Sequence, residues 1–237
     1  MQRYFVIEKQ NDDLILSPDD VHHIKNVMRN KPGDFIECIY QEKLYICKII
    51  DPTSPIVRII EERQENHELP LDITIAIALV KEQKMDLILQ KLTELGITRV
   101  IPLKMERSII QLDEQKFKKK KARWQTICKE AAEQSKRNKI PEIMDIHTLK
   151  QLKDLSFDQK FICSTRNQAN FINNYLQAKD TCAKMIFVIG PEGGIAPKEE
   201  DLLIDNNYIP ITFGHRIMRV ETAAIYIASI INYLYER

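Results

Sequence analysis

Two short stretches of this sequence concentrate the residue types that site chemistry needs: "IGPEGGIAPKE" (Ile189 to Glu199) and "TFGHRIMRVETAA" (Thr212 to Ala224). The first holds Gly190, Gly193 and Gly194, three of the chain's six glycines, directly after the apolar run "MIFVI". Glycines clustered behind a buried strand serve either a tight turn or a ligand pressed against main-chain N–H groups. Both readings are open at this point. The second stretch repeats the pattern with Gly214, adds Arg216 and Arg219, and leads into a helix announced by Glu221 and Thr222. Two such loops at neighbouring strand ends can enclose a flat ligand such as adenine, with backbone groups at its edges and Ile217 and Met218 over its face. Two turns in an unrelated enzyme fit the same residues.

Other chemistries lose their basis in what the sequence lacks. The pattern G-x-x-x-x-G-K-[ST] is absent, and Glu192 would set a carboxylate against a phosphate. The dinucleotide pattern G-x-G-x-x-G is absent too, and no serine stands in a G-x-S-x-G elbow. His22, His23, His67, His147 and His215 show no metal-ligand spacing, so no metal is expected. Cys38, Cys47, Cys128, Cys163 and Cys182 are odd in number and scattered, which predicts free thiols in a reducing compartment. No apolar run approaches the roughly 18 to 20 residues of a membrane span, and the polar start "MQRYFVIEKQ" lacks signal-peptide order. The expectation is a cytoplasmic protein without a membrane partner.

The elements that must position the two loops follow from hydrophobic patterning. From Leu71 onward, apolar strands alternate with helices: strands at Ile73 to Val80, Thr98 to Leu103, Phe161 to Cys163, Met185 to Ile189 and Ile209 to Phe213. Helices are predicted over Met85 to Leu95, Arg123 to Gln134, Pro197 to about Asn206, and along "ETAAIYIASIINYLY". This is the texture of an α/β domain with a mainly parallel sheet, which binds ligands at the carboxyl ends of its strands. Before Leu71 the chain reads as a small β-rich module. A turn at Lys31-Pro32-Gly33-Asp34 opens a strand through Tyr40, Leu44 to Ile50 is its partner, and His22 to Arg29 forms a short amphipathic helix through Ile24, Val27 and Met28. "ERQENHELP" breaks the pattern and sets a boundary near residues 62 to 71, dividing the chain into 1–70 and 71–237.

The net charge of +1 hides an uneven distribution: Lys104 to Lys139 holds 12 basic residues against 5 acidic ones, among them the run Lys118 to Lys121. Such a run is either a solvated helix face or a surface for phosphate backbones.

Over nearly its full length the chain resembles the bacterial 16S ribosomal RNA uridine N3-methyltransferase family, RsmE, in the SPOUT group. The resemblance rests on four ordered blocks: "HHIKNVMRNKPGD", "QKLTELGITRVIPLKMERS", "WQTICKEAAEQSKRNKIPEI", and the pair "IGPEGGIAPKE" and "FGHRIMRVETAA". It implies a PUA-like β-barrel domain that helps hold RNA, and a trefoil-knotted α/β methyltransferase domain that forms a homodimer. It also implies S-adenosyl-L-methionine as cofactor and 16S rRNA of the small ribosomal subunit as substrate. Phe213 and Met218 stand where the family usually carries leucine, and both keep an apolar wall.

What the resemblance implies for single residues is specific. Gly190, Gly193, Gly194, Ile209, Phe213, Gly214, Ile217 and Met218 are expected around the cofactor, with plain core packing as the alternative for Ile209 and Phe213, and Ser164 and Thr165 closing a third side. Glu192 is expected either beside the sulfonium or in a structural role, capping the helix after Pro197 or pairing with Arg216 or Arg219. Arg219 is the candidate catalytic group. A guanidinium facing O2 or O4 of uridine stabilises the anion that forms at N3, whose proton passes to water or to a further group. Arg29, Arg107 and Arg137 are the expected RNA-positioning residues, with an internal salt bridge as the alternative for each. Two other functions remain on the table: a knotted methyltransferase acting on tRNA, 23S rRNA or a ribose oxygen, and an RNA-binding assembly protein without catalysis.

Overall fold

The computed structural model describes residues 1–166, 169–176 and 184–236, so Cys182 lies outside the described residues. The chain forms two compact units, Met1–Glu68 with Lys129–Ile140, and Leu69–Cys128 with Pro141–Arg237. The segment 129–140, which patterning alone assigns to the second region, thus packs with the first.

The first unit is a six-stranded sheet built from β1 (Arg3–Phe5), β2 (Glu8–Gln10), β3 (Asp13–Ile15), β4 (Phe35–Tyr40), β5 (Lys43–Ile49) and β6 (Ile56–Arg63), in the order β1-β4-β5-β6-β3-β2. All neighbours are antiparallel except β1 and β4. Alternating residues close its core, with Tyr4, Leu14, Ile36, Cys38, Cys47 and Val57 all buried. The expected amphipathic helix over His22 to Arg29 is corrected. A helix α1 (Pro18–His22), capped by Ser17, passes into a wider π-type turn over His23–Val27, closed by the Met28 N–H to the His23 carbonyl. The wider turn breaks the 3.6-residue period on which the expectation rests, and Ile24 is buried while Val27 and Met28 are exposed.

The second unit is an eight-stranded, all-parallel sheet. Its strands are β7 (Asp72–Ala78), β8 (Arg99–Lys104), β9 (Glu142–Ile143), β10 (His147–Thr148), β11 (Gln159–Cys163), β12 (Asn170–Phe171), β13 (Lys184–Ile189) and β14 (Ile209–Thr212). The order is β10-β8-β7-β13-β11-β14-β12, with β9 also paired to β8. The helices are α2 (Glu82–Glu94), α3 (Glu114–Gln134), whose last turns from Lys129 belong to the first unit, α4 (Pro197–Asp205) and α5 (Val220–Tyr235). Strands β7 and β13 are buried along almost their whole length, which explains their near-continuous apolar runs. The long strands and helices match the patterning to within a few residues at α2 and α4, whereas α3 begins nine residues earlier than Arg123. The two-residue strands β9, β10 and β12 escape periodicity because a pattern needs more residues than they have. Among the described residues no disulfide forms, and no helix is long and apolar enough to cross a membrane.

Strands β13, β11 and β14 lie side by side and run the same way, so their last residues, Ile189, Cys163 and Thr212, deliver three loops to one sheet edge. Rings stack beneath this edge, with Phe161 and Phe187 centroids 4.9 Å apart.

Candidate active site

A cavity of about 640 Å³ opens where these three strands end. Ser164, Thr165 and Arg166 follow β11; Gly190, Pro191, Glu192 and Gly194 follow β13; Phe213, Gly214, His215, Arg216, Ile217, Met218 and Arg219 follow β14. The two glycine loops are separated by one strand, and the loop after that strand supplies the wall between them.

The glycine cluster takes the first of its two open readings, a tight turn. The Gly194 N–H donates to the Pro191 carbonyl at 2.8 Å, closing a tight turn, and Gly194 has φ +72°, a conformation that L side chains rarely adopt. At Gly190 a Cβ would stand 2.4 Å from Ile195 Cγ1, so part of the close approach is made by the protein itself. Gly193 does not line the cavity; a Cβ there would lie 3.3 Å from Arg107 Cβ, and its carbonyl accepts from Arg107 Nη1 at 3.1 Å.

Glu192 is held by a structural ion pair, but not with either expected arginine. Its Oε1 sits 2.9 Å from Lys84 Nζ, and that hydrogen bond holds its carboxyl below the usual glutamate range. Lys84 also stands 3.3 Å from Glu221 Oε2. Nor does Glu192 cap the helix after Pro197. Glu199 does so, accepting from the Ala196 N–H at 3.3 Å and from the Glu106 N–H at 2.8 Å.

The remaining wall carries a buried carboxylate that patterning did not single out. Glu200, 4% exposed in the first turn of α4, accepts a 2.5 Å hydrogen bond from Ser164 Oγ and lies 3.1 Å from Arg166 Nε. Asp201 takes the other end of the Arg166 guanidinium at 2.7 Å. "PKEED" signals only a helix start; the partners of Glu200 lie more than thirty residues away, and no local spacing reveals them. Burial pushes the neighbouring Cys163 thiol up.

Arg219 is the N-cap residue of α5, exposed at the cavity rim, and its carbonyl accepts from the Ala223 N–H at 2.9 Å. Among the described residues neither Arg216 nor Arg219 makes an ion pair. Ile217 is 85% exposed beside them, an apolar side chain left facing solvent at the mouth. Phe213 packs edge-on against Tyr226 at 5.5 Å between centroids.

For two further expected site residues the fold adopts the other reading. Ile209 is the first residue of β14, paired with Phe161, and the cavity lies at the other end of the strand, so Ile209 packs in the sheet and does not line the site. Arg137 is 2% exposed in the first unit, its guanidinium 2.5 Å from Glu68 Oε2, while Glu68 also accepts from the Asn138 and Lys139 N–H groups. The internal salt bridge is the arrangement adopted, and it leaves Arg137 no surface for phosphate. Arg29, at φ +55° on the first unit, and Arg107 are exposed. Within the lysine run, Lys120 pairs with Glu82 and Lys121 with Asp145, whereas Lys118 and Lys119 are exposed.

An RNA methyltransferase domain model matches residues 67–232, and an RNA methyltransferase PUA domain model matches residues 16–61. The Bacillus subtilis ribosomal RNA small subunit methyltransferase E is 37% identical, over 98% of this chain and 96% of its own length. The chain belongs to the ribosomal RNA small subunit methyltransferase E family. The family member from Mesomycoplasma hyopneumoniae is 34% identical over 96% of this chain and 97% of its own. Among solved structures, the Neisseria gonorrhoeae family member bound to S-adenosyl methionine superposes with a TM-score of 0.88 at 28% identity, covering 99% of this chain and 98% of its own. A Legionella pneumophila methyltransferase in complex with the bound cofactor SAM gives a TM-score of 0.89 at 29% identity, over 98% and 96% of the two chains. Family membership accounts for an N-terminal PUA-like region followed by a parallel-sheet α/β methyltransferase domain.

Proposed function

We propose that this chain transfers a methyl group from S-adenosylmethionine to N3 of a uridine in the 16S rRNA of the small ribosomal subunit. The observation that carries the reading is the cavity at the ends of β11, β13 and β14, walled by two glycine loops and rimmed by Arg216 and Arg219, which have no carboxylate partner among the described residues. Its volume of about 640 Å³ falls in the range of small-molecule sites. Its lining fits an adenosyl cofactor: backbone at the Gly190 to Gly194 turn and at Gly214, apolar cover from Phe213 and Met218, and hydroxyl groups from Ser164 and Thr165. When bound, the cofactor supplies the methyl group as an electrophile.

The chain's own residues then have separable tasks. Ionising N3 of uridine at neutral pH costs about 3 to 4 kcal/mol, since its pKa lies roughly two to three units above neutrality. Arg219 offsets that cost by donating to O2 or O4, where the charge of the anion resides. Glu192, already neutralised by Lys84, shapes the loop and does not act as the base. Arg29 and Arg107 hold RNA phosphates, and Lys118 and Lys119 add affinity without choice of base. Arg107 has five N–H donors, so its single bond to Gly193 is compatible with a phosphate contact.

The same reading assigns residues 1–70, with the segment 129–140 that packs among them, to a PUA-like RNA-holding domain and the rest of 71–237 to a SPOUT methyltransferase domain. It also places a trefoil knot at β13, β14 and their loops, and the enzyme in the cytoplasm as a homodimer. Support for the dimer comes from α5, where Tyr226 and Tyr233 are exposed and Ile230 and Leu234 on the same stripe are only partly covered. The test is to incubate the protein with labelled S-adenosylmethionine and small ribosomal subunits lacking the modification, digest the RNA and identify the methylated nucleoside. N3-methyluridine is the expected product. Label in another nucleoside, or in 23S rRNA or tRNA instead, favours a different knotted methyltransferase, and binding without turnover favours an assembly factor.

A further inference from the structure

Lys84 lies in the first turn of α2, and α2 contributes no residue to the cavity wall. Its ammonium nevertheless holds two carboxylates from different walls: Glu192, within the Pro191 to Gly194 turn, at 2.9 Å, and Glu221, two residues beyond Arg219 in the first turn of α5, at 3.3 Å. The sequence separations are 108 and 137 residues, so nothing local imposes the arrangement. Other charges near it are accounted for. Lys81 adds a weaker attraction on Glu192. Glu82 is drawn to Lys120 and Arg123, and Asp86 to Arg123.

We infer that Lys84 is a positioning residue, which ties the glycine turn to the start of α5 and thereby sets the distance from the cofactor wall to Arg219. The inference rests on reading the cavity as the methyl-donor site. A single exposed ion pair contributes little to stability, but here one cation spans two independent segments, and its loss does more than remove a contact. Two carboxylates aimed at one point then repel, and both segments separate or one carboxyl takes up a proton. Each segment has a protected amide that reports the change: the Gly194 N–H on the Pro191 carbonyl, and the Ala223 N–H on the Arg219 carbonyl.

The test is hydrogen exchange of these two amides, by NMR, in the ligand-free full chain and in Lys84→Met, Lys84→Arg and the charge-balanced triple variant Lys84→Met with Glu192→Gln and Glu221→Gln. Lys84→Met is expected to speed exchange about tenfold at both amides while sheet amides keep their rates. Lys84→Arg is expected to retain wild-type protection, and the triple variant to recover part of it, since repulsion is gone. In parallel, the KM for S-adenosylmethionine should rise about tenfold in Lys84→Met and stay near wild type in Lys84→Arg. Unchanged exchange at either amide overturns the inference, as does acceleration throughout the chain, which marks a general loss of stability. Failure of the wild-type protein to bind S-adenosylmethionine counts against the proposed function alone, because the exchange rates still decide what Lys84 does.

Discussion

Arg3, Lys129 and Arg137 in the first unit and Arg216 and Arg219 at the second unit's cavity are the same kinds of cation put to opposite uses. In the first unit Arg3 lies 2.8 Å from Glu37, Lys129 2.6 Å from Asp20 and Arg137 2.5 Å from Glu68, and both arginines are buried. At the cavity Arg216 and Arg219 stand exposed, without carboxylate partners among the described residues. A positive charge counted in a sequence is therefore not a charge offered to RNA. What decides is whether a carboxylate has been brought to it, and the carboxylates that do so here are distant along the chain.

The comparison can be broken most forcefully at Arg137. Its removal leaves Glu68 buried and unpaired, so Arg137→Ala should lower unfolding free energy by about 3 to 5 kcal/mol, read by chemical denaturation. The salt dependence of RNA binding, measured under conditions where the variant is folded, should keep its slope. A slope reduced by about 1 would return Arg137 to the phosphate-binding set.

A smaller effect is expected at Glu133, which burial pushes up to about 7 while Lys129, 3.4 Å away, opposes the rise. Because its folded value is raised above 4.5, the folded chain keeps a proton that the unfolded chain gives up. The stability this contributes is full below about pH 4.5 and is lost as pH rises through 7. Glu133→Gln should flatten that decline by on the order of 2 kcal/mol between pH 5 and 8. Parallel stability curves for variant and wild type over that range would contradict it.

On the cavity side, Gly194→Val forces a β-branched side chain into φ +72°, a strain of about 1 to 2 kcal/mol. Cofactor affinity by calorimetry should fall by more than about tenfold, with the fold intact by circular dichroism. Wild-type affinity in the folded variant would remove the turn from the cofactor wall.

Much of this architecture is legible before any coordinates. Long strands such as β7 and β13 announce themselves because a parallel strand buried on both faces must be apolar throughout. The loops that line the cavity carry glycines and arginines whose types already suggest a site. Pairings across long separations are what patterning cannot reach. Lys84 reads as an ordinary helix lysine, Glu200 as a helix start and Arg137 as part of a basic stretch, until the fold brings Glu192, Ser164 and Glu68 to them. Ile209 cannot be placed by patterning for a related reason: strand residues share a composition whether they lie near the ligand end or the far end. Residues 129–134 continue the helical pattern of α3 without a break at the point where the chain changes units.

The central claim, that an arginine left unpaired at the cavity stabilises the N3 anion, is tested most directly by single-turnover methylation with Arg219→Lys at saturating enzyme across pH. Lysine keeps the charge and loses the planar fork of donors, so at pH 7 the rate should drop by about a hundredfold. S-adenosylmethionine and RNA affinities should stay within about twofold of wild type. The defect should shrink as pH climbs toward the uridine N3 pKa, roughly two to three units above neutrality, where the anion forms without help. A wild-type rate, or a defect wholly explained by weaker RNA binding and constant with pH, would contradict the account and leave Arg219 as one more residue that positions RNA.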